Sequence, residues 1–221
     1  LETAVRNFVE KFDAVILTDY ISNCHYAHAV NNTPRILHAK RNLQEDEVFL
    51  PEVLITVGGN YIFNAEMKGL MKSCKAEHWQ VGKEDKLADG FKKLTIVFEM
   101  SETFFFENMV QHADFVNKVG YYDFWKNLDK GIPQPHSDKY DELDIIGSVL
   151  KNMPDDADLQ IGNSWSIRMS QLMDVPATVR QNCNRGVNGI DGSLSTAVGY
   201  AATNDRLTYL CLLYTSDAAD E

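Results

Sequence analysis

The chain has 221 residues and a formal net charge of −11, with 44% apolar and 24% charged residues. This composition is typical of a globular domain of mixed structure. No apolar run approaches the ~18 residues that a membrane span needs, no basic and apolar leader opens the chain, and no basic stripe is available to neutralise phosphates. We therefore expect neither a membrane span nor nucleic acid as a partner.

The first part of the chain alternates strand and helix patterns. The chain opens in a helical pattern that includes Leu1. The apolar residues of this pattern have the spacing of one helix face: Val5, Phe8, Val9 and Phe12. Strands are predicted at residues 13–18, 52–57, 77–81 and 94–98, and helices at residues 62–71, 103–111 and 121–130. Strands separated by helix-length segments predict a mostly parallel sheet with helices on both faces. The predicted fold class is therefore α/β.

A loop with two prolines, Pro133 and Pro135, separates this part from a second one. A helix at residues 143–150 and a strand at 158–161 are followed by the turn Gly162-Asn163-Ser164 and a helix at 165–172. A stretch rich in Gly and Asn then leads to a helix at 194–201 and a strand at 207–210. We predict a first domain at residues 1–130, a linker at 131–139 and an incomplete second domain at 140–210.

Residues 211–221 resemble one reading frame of a sequencing adapter, and we interpret them as a non-native tail. The alternative is a native strand followed by an acidic tail. The cysteines are scattered, without a C-x-x-C pair, which fits a reducing cytoplasm and no disulfide framework.

Two weak motifs lie in the first domain. Cys24, His25 and His28 are residue types that bind zinc, but only three ligands lie together, and a polar loop is the better interpretation. Gly58-Gly59-Asn60 follows a predicted strand and could hold a phosphate, although the third glycine of a dinucleotide motif is missing. A tight turn explains these glycines equally well.

The second domain carries two longer motifs. Gly162–Arg168 reads GNSxxxR and places Ser164 and Arg168 four residues apart on one helix face, and residues 184–199 read NRGxxGIDGxLSTAxG. Arginines beside glycine-rich turns suit a substrate with several carboxylates, because the guanidinium fork matches a carboxylate. Solvated arginines and ordinary turn glycines are the alternative that these residues leave open.

Together these motifs resemble the 2-succinyl-5-enolpyruvyl-6-hydroxy-3-cyclohexene-1-carboxylate synthase family, thiamine-diphosphate enzymes of menaquinone biosynthesis. The resemblance implies a central Rossmann-like parallel-sheet domain followed by the first part of a thiamine-diphosphate-binding (diphosphate-type) α/β domain. It implies a cytoplasmic transferase that decarboxylates 2-oxoglutarate and adds the resulting carbanion to isochorismate, with Mg²⁺ (or Mn²⁺) as the metal. A homo-oligomer, dimer or tetramer, is expected for the full-length enzyme. The alternatives are another thiamine-diphosphate decarboxylase or carboligase and a nucleotide-binding Rossmann-like module.

The family roles map onto six positions of this chain. The resemblance implies substrate binding by Ser164, Arg168 and Arg185. It implies cofactor binding by Asn163, Gly189 and Ile190, with Ile190 supporting thiamine diphosphate in its bent form. A plain core isoleucine is the alternative for Ile190.

Three features depart from the family pattern. Asn64-Ala65-Glu66 stands where family members carry a Lys-Arg pair. The family's Gly-Asp…Asn metal motif is expected directly after residues 207–210, where the tail begins, and its activating glutamate belongs to a preceding domain. We therefore expect no catalytic and no metal-binding residue in this chain, and no activity of the chain by itself.

Overall fold

The computed structural model describes residues 1–40, 50–58, 65–83, 87–116, 119–139, 141–186 and 189–212. Gly59, Asn60, Asn64 and residues 213–221, which the sequence analysis singled out, lie outside these ranges. The chain divides into two compact units: unit 1 comprises residues 1–18 and 26–132, and unit 2 comprises residues 19–25 and those from 133 on. Among the described helices, none has the length and apolarity to cross a membrane.

Unit 1 is built on a parallel sheet. The helices are α1 (Glu2–Phe12), α2 (Thr33–Ala39), α3 (Ala65–Ser73), α4 (Glu102–His112) and α5 (Tyr121–Gly131). The strands are β1 (Ile16–Leu17), β2 (Ala29–Val30), β3 (Val53–Val57), β4 (Glu77–Val81) and β5 (Leu94–Phe98). Strands β3, β4 and β5 pair in that order, and β1 and β2 form a separate parallel pair. The predicted α/β class is confirmed.

Helices cover both faces of the β3-β4-β5 sheet. Successive side chains of a strand point to opposite faces. Leu54 packs into a cluster with α2, α3 and α5, centred on the fully buried Trp125. Its neighbour Ile55 packs into a second cluster, with α1 and α4, that contains Phe105. The prediction of helices on both sides of this sheet is therefore confirmed.

The predicted strand at residues 13–18 is shortened to Ile16–Leu17. Asp13 has a left-handed φ of 52° and ends α1. Its carboxylate accepts hydrogen bonds from the backbone N–H groups of Tyr121 (2.8 Å) and Tyr122 (3.4 Å). The first N–H groups of a helix have no partner within it, so Asp13 caps the start of α5 instead of extending a strand.

Unit 2 contains a second parallel sheet, with α6 (Glu142–Lys151), α7 (Trp165–Ser170) and α8 (Ser193–Ala202) as its helices. Its strands are β6 (Asp158–Ile161), β7 (Arg180–Cys183) and β8 (Thr208–Cys211). The order is β7-β6-β8, with every residue of β6 buried. In both pairs Ile161 aligns with the last residue of the neighbouring strand, Cys183 or Cys211. The three carboxyl ends therefore lie level at one edge.

Two elements of unit 2 differ from the predictions. The helix predicted to reach residue 172 ends at Ser170, and β7 was not predicted. Strand β7 has the sequence Arg-Gln-Asn-Cys, without the apolar alternation that marks a strand. Strand β8 extends to Cys211, one residue into the segment interpreted as a tail, whose origin stays a prediction.

A buried carboxylate joins β6 to the segment between α8 and β8. Asp158 is fully buried, and its Oδ1 lies 3.0 Å from Nε of Arg206. Its Oδ2 accepts hydrogen bonds from the Tyr200 hydroxyl (3.0 Å) and from Nδ2 of Asn204. Because the charge is paired and hydrogen-bonded, it can be held without solvent.

Candidate functional site

The carboxyl edge of the unit 2 sheet brings the two sequence motifs together. The turn Gly162-Asn163-Ser164 follows β6, and Asn184 and Arg185 follow β7, the adjacent parallel strand. In open parallel sheets, ligands bind at the carboxyl ends of the strands. This edge is therefore the candidate site of unit 2.

The side chain of Asn163 connects the two motifs. It is 5% exposed, and its Nδ2 donates to the backbone carbonyls of Asn184 (2.6 Å) and Gly189 (2.5 Å). Its Oδ1 accepts from Nη1 of Arg185 (3.1 Å) and from Sγ of Cys183 (3.3 Å). An amide offers two donor hydrogens and two lone pairs, so these four contacts use its whole capacity.

Gly162 lies at a close approach of the chain to the end of β8. Its N–H donates to the carbonyl of Cys211 at 2.8 Å. A Cβ at this position would lie 3.0 Å from Cδ2 of Leu212 and 3.3 Å from that carbonyl oxygen. A side chain at the first residue of the GNS turn would therefore be crowded against the end of β8.

Ser164 has a backbone conformation that L-residues rarely adopt, with φ 70° and ψ −119°. Such conformations persist where the surrounding contacts determine them, and they concentrate at functional sites. The residue is exposed and leads directly into α7. The exposed Arg168 lies one turn further along α7 and forms no hydrogen bond or ion pair with the part of the chain that the structure describes.

Arg185 and Gly189 are joined through Asn163, as described above, whereas no described contact joins Ser164 or Arg168 to them. The side chain of Ile190, next to Gly189, is 56% exposed. A plain core position for Ile190 is therefore wrong for this structure. An exposed isoleucine beside the arginine loop gives the edge an apolar surface next to a charged one.

The charge of Arg185 also acts on Asp19, a residue that was not predicted from the sequence. It is half-buried, and burial raises the pKa of its carboxyl group, while the positive charge of Arg185 and the N–H of Ser22 act in the opposite direction. Burial also raises the pKa of Cys183 to about 11, with Arg185 lowering it and Asp19 raising it further. The Cys183 thiol is therefore protonated at neutral pH.

The two weak motifs of the first domain remain without a demonstrated role. The His28 ring stacks on Tyr122 with a centroid separation of 3.8 Å, and its Nδ1 lies 3.1 Å from the Ala14 carbonyl. Within the described ranges, no group of three His, Cys, Asp or Glu side chains could hold a metal ion. Gly58 follows β3 with a φ of 86°, a left-handed conformation that favours glycine, and Gly59 and Asn60 lie outside the described residues.

The chain is similar in sequence to curated enzymes named 2-succinyl-5-enolpyruvyl-6-hydroxy-3-cyclohexene-1-carboxylate synthase. The Phocaeicola vulgatus enzyme is 39% identical over 170 residues, which is 76% of this chain and 30% of that enzyme. The Bacteroides thetaiotaomicron enzyme is 40% identical over 163 residues, covering 73% of this chain and 29% of the enzyme. The Flavobacterium johnsoniae enzyme is 31% identical over 216 residues, which is 93% of this chain and 37% of that enzyme.

No family model matches the chain. The chain spans about three tenths of the length of the first two of these relatives. The similarity nevertheless extends over most of the chain itself and confirms the resemblance that the two motifs predicted.

Proposed function

Starting from the chain's kinship with the 2-succinyl-5-enolpyruvyl-6-hydroxy-3-cyclohexene-1-carboxylate synthases, we propose that the complete protein is a synthase of this kind. It decarboxylates 2-oxoglutarate on thiamine diphosphate and joins the product to isochorismate in menaquinone biosynthesis. Residues 1–130 correspond to the central domain, and residues 140–210 to the first part of the diphosphate-binding domain. The observation that carries the proposal is the polar cluster in which Asn163 holds Arg185 at the carboxyl edge of β6 and β7.

Both proposed substrates are carboxylates, and the arginines of this edge are suited to bind them. Arg185 is half-buried and directed by Asn163, so part of the entropy cost of ordering its long side chain is met before substrate binds. Arg168 and Ser164 are exposed at the start of the neighbouring helix, where they can approach a bound anion. A guanidinium contacts a carboxylate bidentately, which fixes the orientation of the substrate as well as holding it.

The residues of the edge are compatible with thiamine diphosphate. When bound, this cofactor supplies the carbon nucleophile that attacks a 2-oxo acid. Ile190 would contact its ring system, because this isoleucine is 56% exposed and therefore available to an apolar surface. Gly189 is fixed beside it by the hydrogen bond from Nδ2 of Asn163 to its carbonyl. Asn163 would thus assist cofactor binding by positioning Gly189 and Ile190, since its own amide is fully engaged.

Among the residues that the structure describes, no three His, Cys, Asp or Glu side chains lie where they could hold Mg²⁺ or Mn²⁺. Both ions take several oxygen ligands, so no metal ligand is proposed among these residues.

The remaining expectations concern assembly and compartment. Leu194 and Val198, one turn apart on α8, are 54% and 61% exposed. An apolar helix face of this kind is typical of an interface, which supports a homo-oligomer, dimer or tetramer, for the complete protein.

All four cysteines are free thiols, in keeping with a reducing cytoplasm.

The proposal is tested by a substrate-exchange assay on the complete protein. With thiamine diphosphate and Mg²⁺ present, 2-oxoglutarate should be consumed together with isochorismate, and mass spectrometry should detect the joined product. Replacing isochorismate by simple aldehydes distinguishes this synthase from another carboligase. Efficient coupling to aldehydes without consumption of isochorismate would show that the proposed acceptor is wrong.

A further inference from the structure

Residues 19–25 form a strap that belongs to unit 2, although they lie between β1 and β2 in the sequence. The strap contains the 3-10 turn Tyr20–Ser22, and the backbone N–H of Tyr20 donates to Oε1 of the buried Gln171 at 3.0 Å. The Ile21 side chain packs against the apolar cluster formed by α6 and β6. The strap is therefore attached to unit 2 by hydrogen bonding and by apolar contact.

Strand β7 has an outer edge on the side away from β6. Of the strands that the structure describes, only β6 pairs with β7. The N–H of Arg180 donates to the Ala157 carbonyl at 3.2 Å, on the side of β6. Because successive residues of a strand direct their backbone groups to opposite sides, the N–H and the carbonyl of Gln181 face the outer edge. Unpaired backbone groups at such an edge would be open to pairing with another chain.

The side chain of Asn23, in the strap, pairs with both of these backbone groups. Its Oδ1 accepts from the N–H of Gln181 and its Nδ2 donates to the carbonyl of Gln181, each at 2.8 Å. A side-chain amide offers the same donor and acceptor as a peptide group. Asn23 therefore makes the two hydrogen bonds that one residue of an antiparallel neighbour would make, although it lies 158 positions away in the sequence.

The backbone of Asn23 explains why an asparagine suits this position. Its φ is 49°, in the left-handed region, and its N–H donates to the Tyr20 carbonyl at 3.1 Å at the end of the 3-10 turn. Asparagine adopts this conformation more readily than most residues with a side chain. Glycine adopts it more readily still but has no amide to offer to β7.

Strand β7 leads from Gln181 into the candidate site. Two residues further, Sγ of Cys183 donates to Oδ1 of Asn163 at 3.3 Å, and the Cys183 carbonyl accepts from the N–H of Arg185 at 2.8 Å. The strand is thus hydrogen-bonded to the strap at Gln181 and to the turn after β6 at Cys183. A displacement of β7 at its outer edge would therefore also displace the start of the loop that contains Arg185.

We propose that Asn23 is a positioning residue, whose amide closes the outer edge of β7 and thereby holds the strand from which the loop with Arg185 begins. The strap takes the place of a further strand at this edge of the sheet. The effect on substrate binding rests on the proposed function, whereas the closure of the edge does not.

The closure of the edge is tested on the chain itself by hydrogen exchange of the Gln181 amide, followed by NMR. Asn23→Gly removes the side-chain amide and keeps a residue that adopts the left-handed conformation. Because two hydrogen bonds are lost, we expect the Gln181 amide to exchange at least about fivefold faster than in the wild type. Asn23→Asp keeps an acceptor for the Gln181 N–H, so its exchange rate should lie between those of Asn23→Gly and the wild type.

Two controls separate this local effect from a general loss of stability. Lys92→Gly, in unit 1, is the matched variant, because Lys92 is exposed and has a left-handed φ of 57°. It should leave exchange at Gln181 unchanged. The amides of α6, in the same unit as β7, report the stability of unit 2 as a whole. If exchange at Gln181 in Asn23→Gly stays at the wild-type rate, or rises only in step with the amides of α6, the closure of the edge by Asn23 is overturned.

The positioning role is tested by steady-state kinetics of the complete protein. Asn23→Gly should raise KM for a carboxylate substrate several-fold with a smaller change in kcat, because the loop that binds the substrate is less well held. Asn23→Asp should restore part of the affinity, and Lys92→Gly should leave KM unchanged. Unchanged KM in an active Asn23→Gly enzyme would overturn the positioning role. Complete inactivity of the wild-type protein toward both substrates would overturn the proposed function instead, while the exchange result would still decide whether Asn23 closes the edge.

Discussion

Asn163 and Arg185 are joined by a 3.1 Å hydrogen bond from Nη1 to Oδ1, across the ends of two adjacent parallel strands. The same amide binds the carbonyls of Asn184 and Gly189 on the loop that contains the arginine. A single buried side chain thus fixes both the direction of Arg185 and the path of the loop.

Replacing Asn163 by Ala should therefore loosen the whole edge. The substitution removes three hydrogen bonds, to the carbonyls of the half-buried Asn184 and Gly189 and from the Arg185 guanidinium, at a cost of about 2–3 kcal/mol. Hydrogen–deuterium exchange over residues 180–186 should be faster, and urea should unfold unit 2 at lower concentration. Asn127→Ala, at an exposed site on α5, is the control and should change stability by less than about 0.5 kcal/mol. Unchanged exchange in Asn163→Ala would mean that the amide does not hold the loop.

Gly162→Ala should destabilise unit 2 because its methyl group would lie 3.3 Å from the Cys211 carbonyl oxygen and 3.0 Å from Leu212. Overpacking of this kind costs about 1–3 kcal/mol. Gly199→Ala is the matched control: it lies on α8 with no heavy atom within 4 Å of the added methyl group. That variant should gain about 0.5–1 kcal/mol, since alanine is the better helix former. Similar melting temperatures for the two variants would contradict the close approach.

Arg206→Met should be strongly destabilising, because it leaves the fully buried Asp158 without its cation. Removing one partner of a buried pair costs about 3–5 kcal/mol. The double variant Asp158→Asn/Arg206→Met should recover most of this, since an amide has no charge to compensate and still accepts from Tyr200. Chemical denaturation monitored by circular dichroism gives both values. If the double variant is no more stable than Arg206→Met, the unpaired charge of Asp158 is not the cause of the destabilisation.

Unit 1 should lose stability in mild acid through His78. Burial lowers the pKa of this 1% exposed histidine below its ordinary 6.5, and the nearby Asp89 opposes the shift only in part. The unfolded chain therefore binds the proton more readily than the folded one. The contribution of neutral His78 to the free energy of unfolding is complete above pH 6.5, and it is lost as the pH falls from 6.5 toward the lowered pKa of the folded state. Melting of unit 1 should show this loss between pH 7.5 and 5. His78→Gln should reduce it, whereas His112→Gln, exposed at the end of α4, should retain it.

Much of the fold could be predicted because its signals are local. Strands β4, β5 and β6 have the predicted bounds, since apolar residues mark them, at alternate positions in β4 and β6 and at four of the five positions of β5. Strand β7 was missed because three of its four residues are polar and its place in the sheet depends on β6. The site shows the same division. Asn163 and Arg185 were selected from their motifs, but the bond between them depends on the pairing of β6 with β7, which brings distant parts of the chain together.

The proposed site is tested most directly by steady-state kinetics of arginine variants in the complete protein. Arg168→Ala and Arg185→Ala should each raise KM for a carboxylate substrate, because each loses about 1.5–3 kcal/mol of binding free energy. Lysine at either position should restore only part of this binding free energy. Arg180→Ala is the control, because Arg180 is exposed at the opposite end of β7. We predict elevated KM values in the first two variants and wild-type values in the third. Wild-type kinetics in all three would contradict a carboxylate site at the ends of β6 and β7.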